Sequence, residues 1–307
     1  MKKQAILIIF IICGCSPMPR GGQNFHVQSD SMLIAQHLTT ITKTEGFRNY
    51  RNVSLLNQTA EYIFSIFSQY ADTTYYQSFE ARDETYKNVV CRLGSTSNKP
   101  LVVVGAHYDA VANTEGADDN ASGVAGLLEL VRILSKEKLN YPVEIVAYCL
   151  EEIRPMPGSL THAQSLRNTK TPVYGMVGFE MIGYYDDNPK SQSFPIKPLK
   201  IIYGDKGDFI LLATKIGSGA FVSNFSTQFK KQATIKVKSI KAPLRWGVAR
   251  SDHANYWRFG YDALMITNTS NFRNPNYHKN SDTMETLDIQ RMMKVIDATA
   301  LAIINLE

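Results

Sequence analysis

The 307-residue sequence predicts a single-domain α/β fold, in which helices cover both faces of a mainly parallel or mixed central β-sheet. Short apolar runs of strand length alternate along the chain with longer segments whose apolar residues recur at helical spacing. The run 101–106 contains no polar side chain and stands directly before a turn, which is typical of a strand buried on both faces. Because the chain shows no internal repeat, low-complexity run or linker, one domain accounts for the whole pattern.

The individual elements follow from the spacing of their apolar residues. Gly46 separates the first two helices, and the third helix carries apolar residues at positions 124, 127, 128, 131 and 134. The predicted helices cover residues 32–41, 55–67, 121–139 and about 288–304. The predicted strands cover residues 73–79, 88–93, 101–106, 143–150, 173–179, 199–203 and 263–268.

Composition and charge exclude several classes of protein. With 44% hydrophobic and 20% charged residues, the chain is neither collagen-like nor wholly disordered. The net charge of +5 is scattered, without a block of five or six like charges, which argues against a nucleic-acid partner. Cys91 and Cys149 lie in apolar, strand-like runs, so two free core thiols are favoured over a single disulfide bridge.

The N-terminal segment has the layout of an export signal. Lysines at positions 2 and 3 precede the apolar run 5–12, which is too short to span a bilayer as a helix. Gly14 followed by Cys15 resembles the bacterial lipobox, although a plain export signal or an uncleaved anchor helix shares the earlier features. We therefore expect a lipoprotein signal peptide over 1–15, a tether over 16–29 and a folded domain over 30–307, lipid-anchored outside a bacterial membrane.

Polar side chains follow the predicted strands at the points where these strands end. Ligands of open α/β sheets bind at the carboxyl ends of the strands, so these side chains should converge. Each one alone has an ordinary explanation as a polar cap, a helix N-terminus or a solvated edge. Together they form the mixed histidine and carboxylate set that catalytic zinc uses. The candidate residues are His107, Asp109, Asp118, Asp119, Glu151, Glu152, Glu180 and His278.

These motifs resemble those of the M28 family of zinc aminopeptidases, whose relatives include carboxypeptidase-like enzymes and glutaminyl cyclases. The resemblance covers about residue 30 to the C-terminus and implies the zinc aminopeptidase, or phosphorylase/hydrolase-like, fold. The segments that carry it are 105–109, 116–123, 151–152, 276–278 and 281–283.

The resemblance implies two zinc ions that share the Asp119 carboxylate. One ion would be held by Asp119, Glu152 and His278, and the other by His107, Asp119 and Glu180. Glu151 would be the general base, and the Asp119–Asn120 peptide would be cis. Glu180 stands where most family members carry Asp, so the ligand set of the second ion departs from the family pattern.

Further residues are assigned around this site. Asp109, two residues beyond His107, is expected to accept the other N–H of the imidazole and so to fix its tautomer. Tyr277 resembles a tyrosine that donates to the oxyanion in some relatives. Asp252 lies in a segment similar to one from which glutaminyl cyclases take a pocket aspartate.

The most favoured function is an aminopeptidase that cleaves N-terminal peptide bonds. A glutaminyl cyclase on the same scaffold, which needs one zinc ion, is the first alternative. A catalytically inactive binding lipoprotein is the second, although such proteins typically lose ligands and none is missing here.

The lipid anchor yields a first prediction. Cys15→Ala should move the protein from the membrane fraction to the soluble fraction, or leave an uncleaved precursor, because no thiol remains to be acylated. Cell fractionation and intact-mass measurement check this, with Cys13→Ala as the control that should keep the wild-type behaviour. An unchanged membrane fraction and an unchanged mass in Cys15→Ala would contradict the assignment.

Overall fold

The computed structural model describes residues 27–94, 98–196 and 198–307. The predicted signal peptide, Cys15 and most of the predicted tether therefore lie outside the described residues. None of the helices in the described ranges has the length and apolar content needed to cross a bilayer.

Eight strands of the described chain form one mixed sheet in the order β1-β2-β4-β3-β5-β8-β6-β7. The strands are β1 (Thr73–Ala81), β2 (Glu84–Leu93), β3 (Leu101–His107), β4 (Val143–Tyr148), β5 (Val173–Glu180), β6 (Ile210–Lys215), β7 (Val237–Ala242) and β8 (Ala263–Thr267). The central strands β4, β3, β5 and β8 are parallel, while β1, β2 and the β6–β8 pair introduce antiparallel contacts. The predicted fold class is confirmed.

Helices cover both faces of this sheet, as predicted. They are α1 (Ser31–Thr42), α2 (Val53–Tyr70), α3 (Gly123–Leu134), α4 (Pro157–Asn168), α5 (Pro198–Tyr203), α6 (Ala220–Gln232), α7 (His253–Arg258) and α8 (Ile289–Ile304). Helices α1, α2, α3, α6 and α8 enclose the larger apolar core, and α4 and α7 enclose the smaller one. Alternate residues of β3 enter opposite cores: Val102 and Val104 face the first, and Leu101 and Val103 the second.

Two predicted elements differ from the structure, and five elements were not predicted. The predicted strand 199–203 is wrong, because Pro198 opens a short helix that buries Leu199 and Tyr203 while Ile201 is 88% exposed. The predicted helix 121–139 is too long: it ends at Leu134, and a separate turn, Ala117–Ser122, precedes it. Strands β6 and β7 and helices α4, α6 and α7 were not predicted.

Cys91 and Cys149 are both buried and unpaired, in agreement with the predicted free thiols. Burial raises the pKa of each thiol well above its ordinary value. Both cysteines therefore act as small apolar core residues.

Candidate active site

The turn between β3 and α3 is tied to the end of β5 by Asn120. Its side-chain Nδ2 donates to the Phe179 carbonyl (2.8 Å), and its Oδ1 accepts from the backbone N–H groups of Gly123 and Met181 (3.1 Å each). The peptide between Asp119 and Asn120 is cis, as the resemblance implies. These bonds bring the Asp119 carboxylate to the end of β5.

Asp118, the neighbour of Asp119, is fully buried and points away from the other candidate residues. Its carboxylate accepts from the Gly183 backbone N–H (2.8 Å) and from the side-chain amides of Asn268 and Asn274 (2.7 Å each). A second buried carboxylate, Asp282, accepts from the backbone N–H groups of Asp118 and Asp119 (2.9 and 3.1 Å). Asp118 thus links three loops, and Asp119 is left to face the cavity.

The five predicted metal ligands lie together in two groups that share Asp119. In the first group, His107 Nε2 lies 3.4 Å from Asp119 Oδ1 and 3.6 Å from Glu180 Oε2. In the second, His278 Nε2 lies 3.2 Å from Asp119 Oδ2 and 3.4 Å from Glu152 Oε2. Within each group, one ligand atom from every residue lies within 4.8 Å of the others. Both groups therefore have the dimensions of a cation site with a common carboxylate.

The donor atoms of these groups fit a divalent metal. His107 Nε2, Asp119 Oδ2 and Glu152 Oε1 are buried and have no hydrogen-bond partner among the described residues. Burial lowers the pKa of His278, but the Asp119 and Glu152 carboxylates beside it outweigh burial and raise the pKa to about 10. Burial raises the pKa of Asp119, yet the two imidazoles bring it to about 2. The Asp119 carboxylate and the His278 imidazole thus each stabilise the charged form of the other. The carboxylates of the two groups also attract cations.

Asp109 is placed where the sequence analysis expects it, behind His107. Its carboxylate Oδ1 lies 3.4 Å from His107 Nδ1, whose closest hydrogen-bond contact is the Asp109 backbone carbonyl at 3.1 Å. The same carboxylate accepts the backbone N–H groups of Glu151 and Glu152 (3.0 and 3.1 Å). Asp109 therefore orients the imidazole and both glutamates together.

Three non-glycine residues with positive φ lie at or beside the candidate ligands. They are Leu150 (φ 68°), Met181 (φ 57°) and His278 (φ 58°). Leu150 turns the chain after β4, just before Glu151 and Glu152, and Met181 turns it directly after Glu180 at the end of β5. Such conformations cost about 1–3 kcal/mol each and cluster at functional sites.

Glu151 is buried beside the two groups without belonging to either. Burial raises the pKa of its carboxyl well above the ordinary value, although the charge of His107 opposes the shift. A carboxylate with a raised pKa that does not ligate a cation suits proton transfer.

Glu180 has a hydrogen-bond partner that the sequence analysis did not identify. The Ser251 hydroxyl donates to Glu180 Oε2 at 2.6 Å and so fixes that carboxylate. The neighbouring Asp252 is 2% exposed and does not line the cavity, and burial raises its pKa to about 7. Only the segment around Asp252 had been singled out in the sequence, because a lone serine carries no signal of its own.

Tyr277 lies at the cavity wall, where its ring stacks on the His278 imidazole with centroids 3.8 Å apart. Burial raises the pKa of its hydroxyl, and the charges of Asp119 and Glu152 raise it further. The hydroxyl is therefore a proton-bearing donor over the physiological pH range.

A cavity of about 270 Å³ opens beside the candidate ligands. Its acidic wall carries Asp119, Glu151, Glu152 and Glu180. Its opposite side is apolar, with a floor formed by alternate residues of three neighbouring strands. These floor residues are Leu211, Ala213, Ile240, Ala242, Met265 and Thr267. Segments before β6, after β7 and after β8 complete the apolar side with Phe194, Leu199, Tyr203, Trp246, Val248 and Phe272.

Comparison with known proteins gives a family match over most of this domain. Residues 88–303 match the family model described as peptidase family M28. The uncharacterised Escherichia coli protein YfbL is 37% identical over 278 residues, which cover 86% of this chain and 85% of YfbL. Leucine aminopeptidase 1 of Trichophyton equinum is 29% identical over 209 residues, 63% of this chain and 51% of that protein.

Solved structures show the same fold at lower identity. The LapA aminopeptidase of Legionella pneumophila superposes with a TM-score of 0.73 at 23% identity, covering 95% of this chain and 79% of LapA. The Tannerella forsythia glutaminyl cyclase gives a TM-score of 0.64 at 18% identity, covering 91% and 100% of the two chains. The fold is thus common to proteins of two different activities.

Proposed function

The chain belongs to peptidase family M28, and on this premise we propose that it is a zinc-dependent aminopeptidase that removes apolar residues from the N-termini of peptides. The observation that carries the proposal is the pair of ligand groups that share Asp119. They lie at the acidic wall of a cavity whose other side is apolar. The named activity of the Trichophyton relative supports the same reaction class.

The donor set supports zinc at both groups. Imidazole nitrogens and carboxylate oxygens are the ligands of catalytic zinc, which leaves a position open for water or substrate. His107, Asp119 and Glu180 would hold one ion, and Asp119, Glu152 and His278 the other. Bound there, the ions would lower the pKa of a water molecule and polarise the scissile carbonyl.

Glu151 and Tyr277 supply the protein's own part of the reaction. Glu151 takes the proton of the attacking water and returns it to the leaving amine, which its raised pKa favours. Tyr277 donates its hydroxyl proton in a hydrogen bond to the oxygen on which negative charge develops. Asp109 holds Glu151 in place through the backbone bond described above.

The shape of the cavity favours an exopeptidase with an apolar preference. The sheet forms the floor of the cavity and closes its apolar side. This side therefore accepts a side chain rather than a continuing peptide. Leu211 and Met265 are floor residues that remain partly accessible. The N-terminal side chain would lie there while the scissile bond faces the acidic wall.

The two alternatives are less well supported. The glutaminyl cyclase neighbour shares the fold, but at 18% identity this likeness does not extend to activity. A one-zinc cyclase gives no role to the complete group of His107, Asp119 and Glu180. An inactive binding protein is disfavoured because all five predicted ligands converge.

We also propose that the protein acts outside a bacterial membrane, attached through a lipid on Cys15. The support is the sequence of residues 1–15 alone, and the Cys15→Ala experiment tests it.

The general base provides the main test of this function. The wild-type domain with zinc should hydrolyse leucyl p-nitroanilide, and Glu151→Gln should reduce kcat by roughly 10²–10⁴-fold while keeping its zinc. Kinetics and elemental analysis measure both quantities, with the exposed Glu45→Gln as control. A wild-type protein that cyclises an N-terminal Gln peptide and leaves the anilide intact would replace the proposal with the cyclase alternative.

The second metal depends on Glu180. Glu180→Ala should lower the bound zinc from two ions per chain towards one, because the group of Asp119, Glu152 and His278 stays complete. Glu180→Asp should retain two ions, since it keeps the carboxylate. Elemental analysis after dialysis measures the stoichiometry. One ion in the wild type, with full activity in Glu180→Ala, would refute a two-zinc site.

The apolar floor should set the preference for the N-terminal residue. Leu211→Trp fills the cavity from the floor, so kcat/KM for leucyl and phenylalanyl anilides should fall about tenfold or more relative to alanyl anilide. Ile216→Trp, at an exposed residue just beyond the same strand, should leave that ratio unchanged. An unaltered ratio in Leu211→Trp would show that the side chain binds elsewhere.

A further inference from the structure

Two arginines line the mouth of the cavity, opposite in charge to its acidic wall. Arg154 follows the two glutamates in the loop after β4, and Arg250 directly precedes Ser251. We refer to Arg154 and Arg250 as the arginine pair. The proton-transfer and metal-binding roles proposed above use neither of them.

Two hydrogen bonds hold the arginine pair and leave most of the guanidinium N–H groups available. Arg154 Nη2 donates to the Arg250 carbonyl at 2.7 Å, and Arg250 Nη1 donates to Asn271 Oδ1 at 3.3 Å. The Arg154 side chain is 57% exposed. Within the described part of the chain, Arg250 forms no ion pair with a carboxylate. Because a guanidinium carries five N–H donors, each arginine can still bind an anion.

The pair lies on the side of the cavity where the leaving group would depart. Arg154 Nη1 is 3.8 Å from Oε1 of Glu151, too long for a hydrogen bond but close enough to place the guanidinium beside the proposed base. Glu151 must reach the nitrogen of the scissile bond in order to protonate it. Whatever is attached to that nitrogen therefore lies next to Arg154.

We propose that the arginine pair binds a carboxylate on the residue that follows the scissile bond, so that this protein favours dipeptides or peptides with an acidic second residue. The proposal rests on the aminopeptidase function proposed above. In a dipeptide only two covalent bonds separate the leaving nitrogen from the carboxylate carbon, a distance of roughly 2.4 Å. A carboxylate so close to the nitrogen falls within reach of Arg154, and guanidinium groups bind carboxylates through paired hydrogen bonds.

Charge distribution supports the same orientation of the substrate. Two bound zinc ions would largely neutralise the four carboxylates of the acidic wall, whereas the two guanidinium groups keep the mouth positive and would attract a carboxylate there. The apolar floor accepts the N-terminal side chain, and the arginine pair accepts the opposite end of a short peptide. The apolar floor, the acidic wall and the arginine pair thus match, in this order, the N-terminal side chain, the scissile bond and the carboxylate of a dipeptide.

A substrate series tests the proposal and distinguishes the two sources of the carboxylate. We would measure kcat/KM for Leu-Ala, Leu-Ala-amide, Leu-Asp-amide and leucyl p-nitroanilide. The wild type should favour Leu-Ala, Leu-Asp-amide or both over Leu-Ala-amide by about tenfold or more, the scale of a charged hydrogen bond. Preference for Leu-Ala identifies the terminal carboxylate, and preference for Leu-Asp-amide identifies the acidic side chain.

Variants of the pair assign this preference to its residues. Arg154→Met and Arg250→Met should abolish the preference, measured in each variant as kcat/KM for each peptide relative to that for the anilide, and Arg154→Lys should keep part of it. The exposed Arg258→Met, away from the cavity, should behave as the wild type. Equal losses on all four substrates would reveal a structural role of the arginines and overturn the proposal, as would equal wild-type rates on Leu-Ala and both amides.

A binding measurement separates this proposal from the proposed function. Calorimetry on zinc-loaded Glu151→Gln should give a Kd for Leu-Ala or Leu-Asp-amide about tenfold lower than for Leu-Ala-amide, a difference that is lost when Arg154→Met is added. This result would support the arginine pair even if the wild type hydrolysed no anilide, which would contradict only the aminopeptidase function. Equal Kd values for the three ligands would overturn the arginine pair even in an active aminopeptidase.

Discussion

The arrangement of the site depends on the burial of one carboxylate, that of Asp118, which never faces the cavity. It accepts hydrogen bonds from Gly183, Asn268 and Asn274, which lie in loops that follow β5 and β8. A buried carboxylate must satisfy its oxygens with donors, so the turn that carries Asp118 and the loops after β5 and β8 can take few other positions. Since Asp119 is its chain neighbour, the same bonds set where the Asp119 carboxylate lies.

This arrangement gathers more negative charge than a protein interior ordinarily accepts. Asp118, Asp119, Glu151 and Asp282 are all buried within a short distance of the cavity. Burial raises the pKa of Asp282 to about 8, and the charge of Asp118 adds to that shift. Imidazoles and backbone N–H groups offset part of this repulsion, and cations at the two ligand groups would offset more. Metal binding and folding are therefore coupled in such a site.

The sequence predicted the parts of the site that follow from strand polarity. Parallel strands end at one edge of a sheet, so His107, Glu152 and Glu180 could be brought together without knowing any contact. Ser251 could not be predicted in this way, because its role follows from the packing of α7 against β5 rather than from a motif. Strand β7 was missed because it is a half-exposed edge strand whose residues carry little periodic signal.

Two of the missed elements, β6 and β7, contribute to the proposed specificity surface, and this has a physical cause. The ligand residues must keep their spacing to within a few tenths of an ångström, which demands rigid strand ends and leaves a strong pattern in the sequence. An apolar wall requires only that its side chains exclude water and leave the right volume, so many sequences can form it. In this chain β6, β7, α5 and the loop that carries Arg250 form that wall and the mouth of the cavity. Family membership therefore constrains the acidic wall, whereas substrate choice depends on surfaces that only the three-dimensional structure reveals.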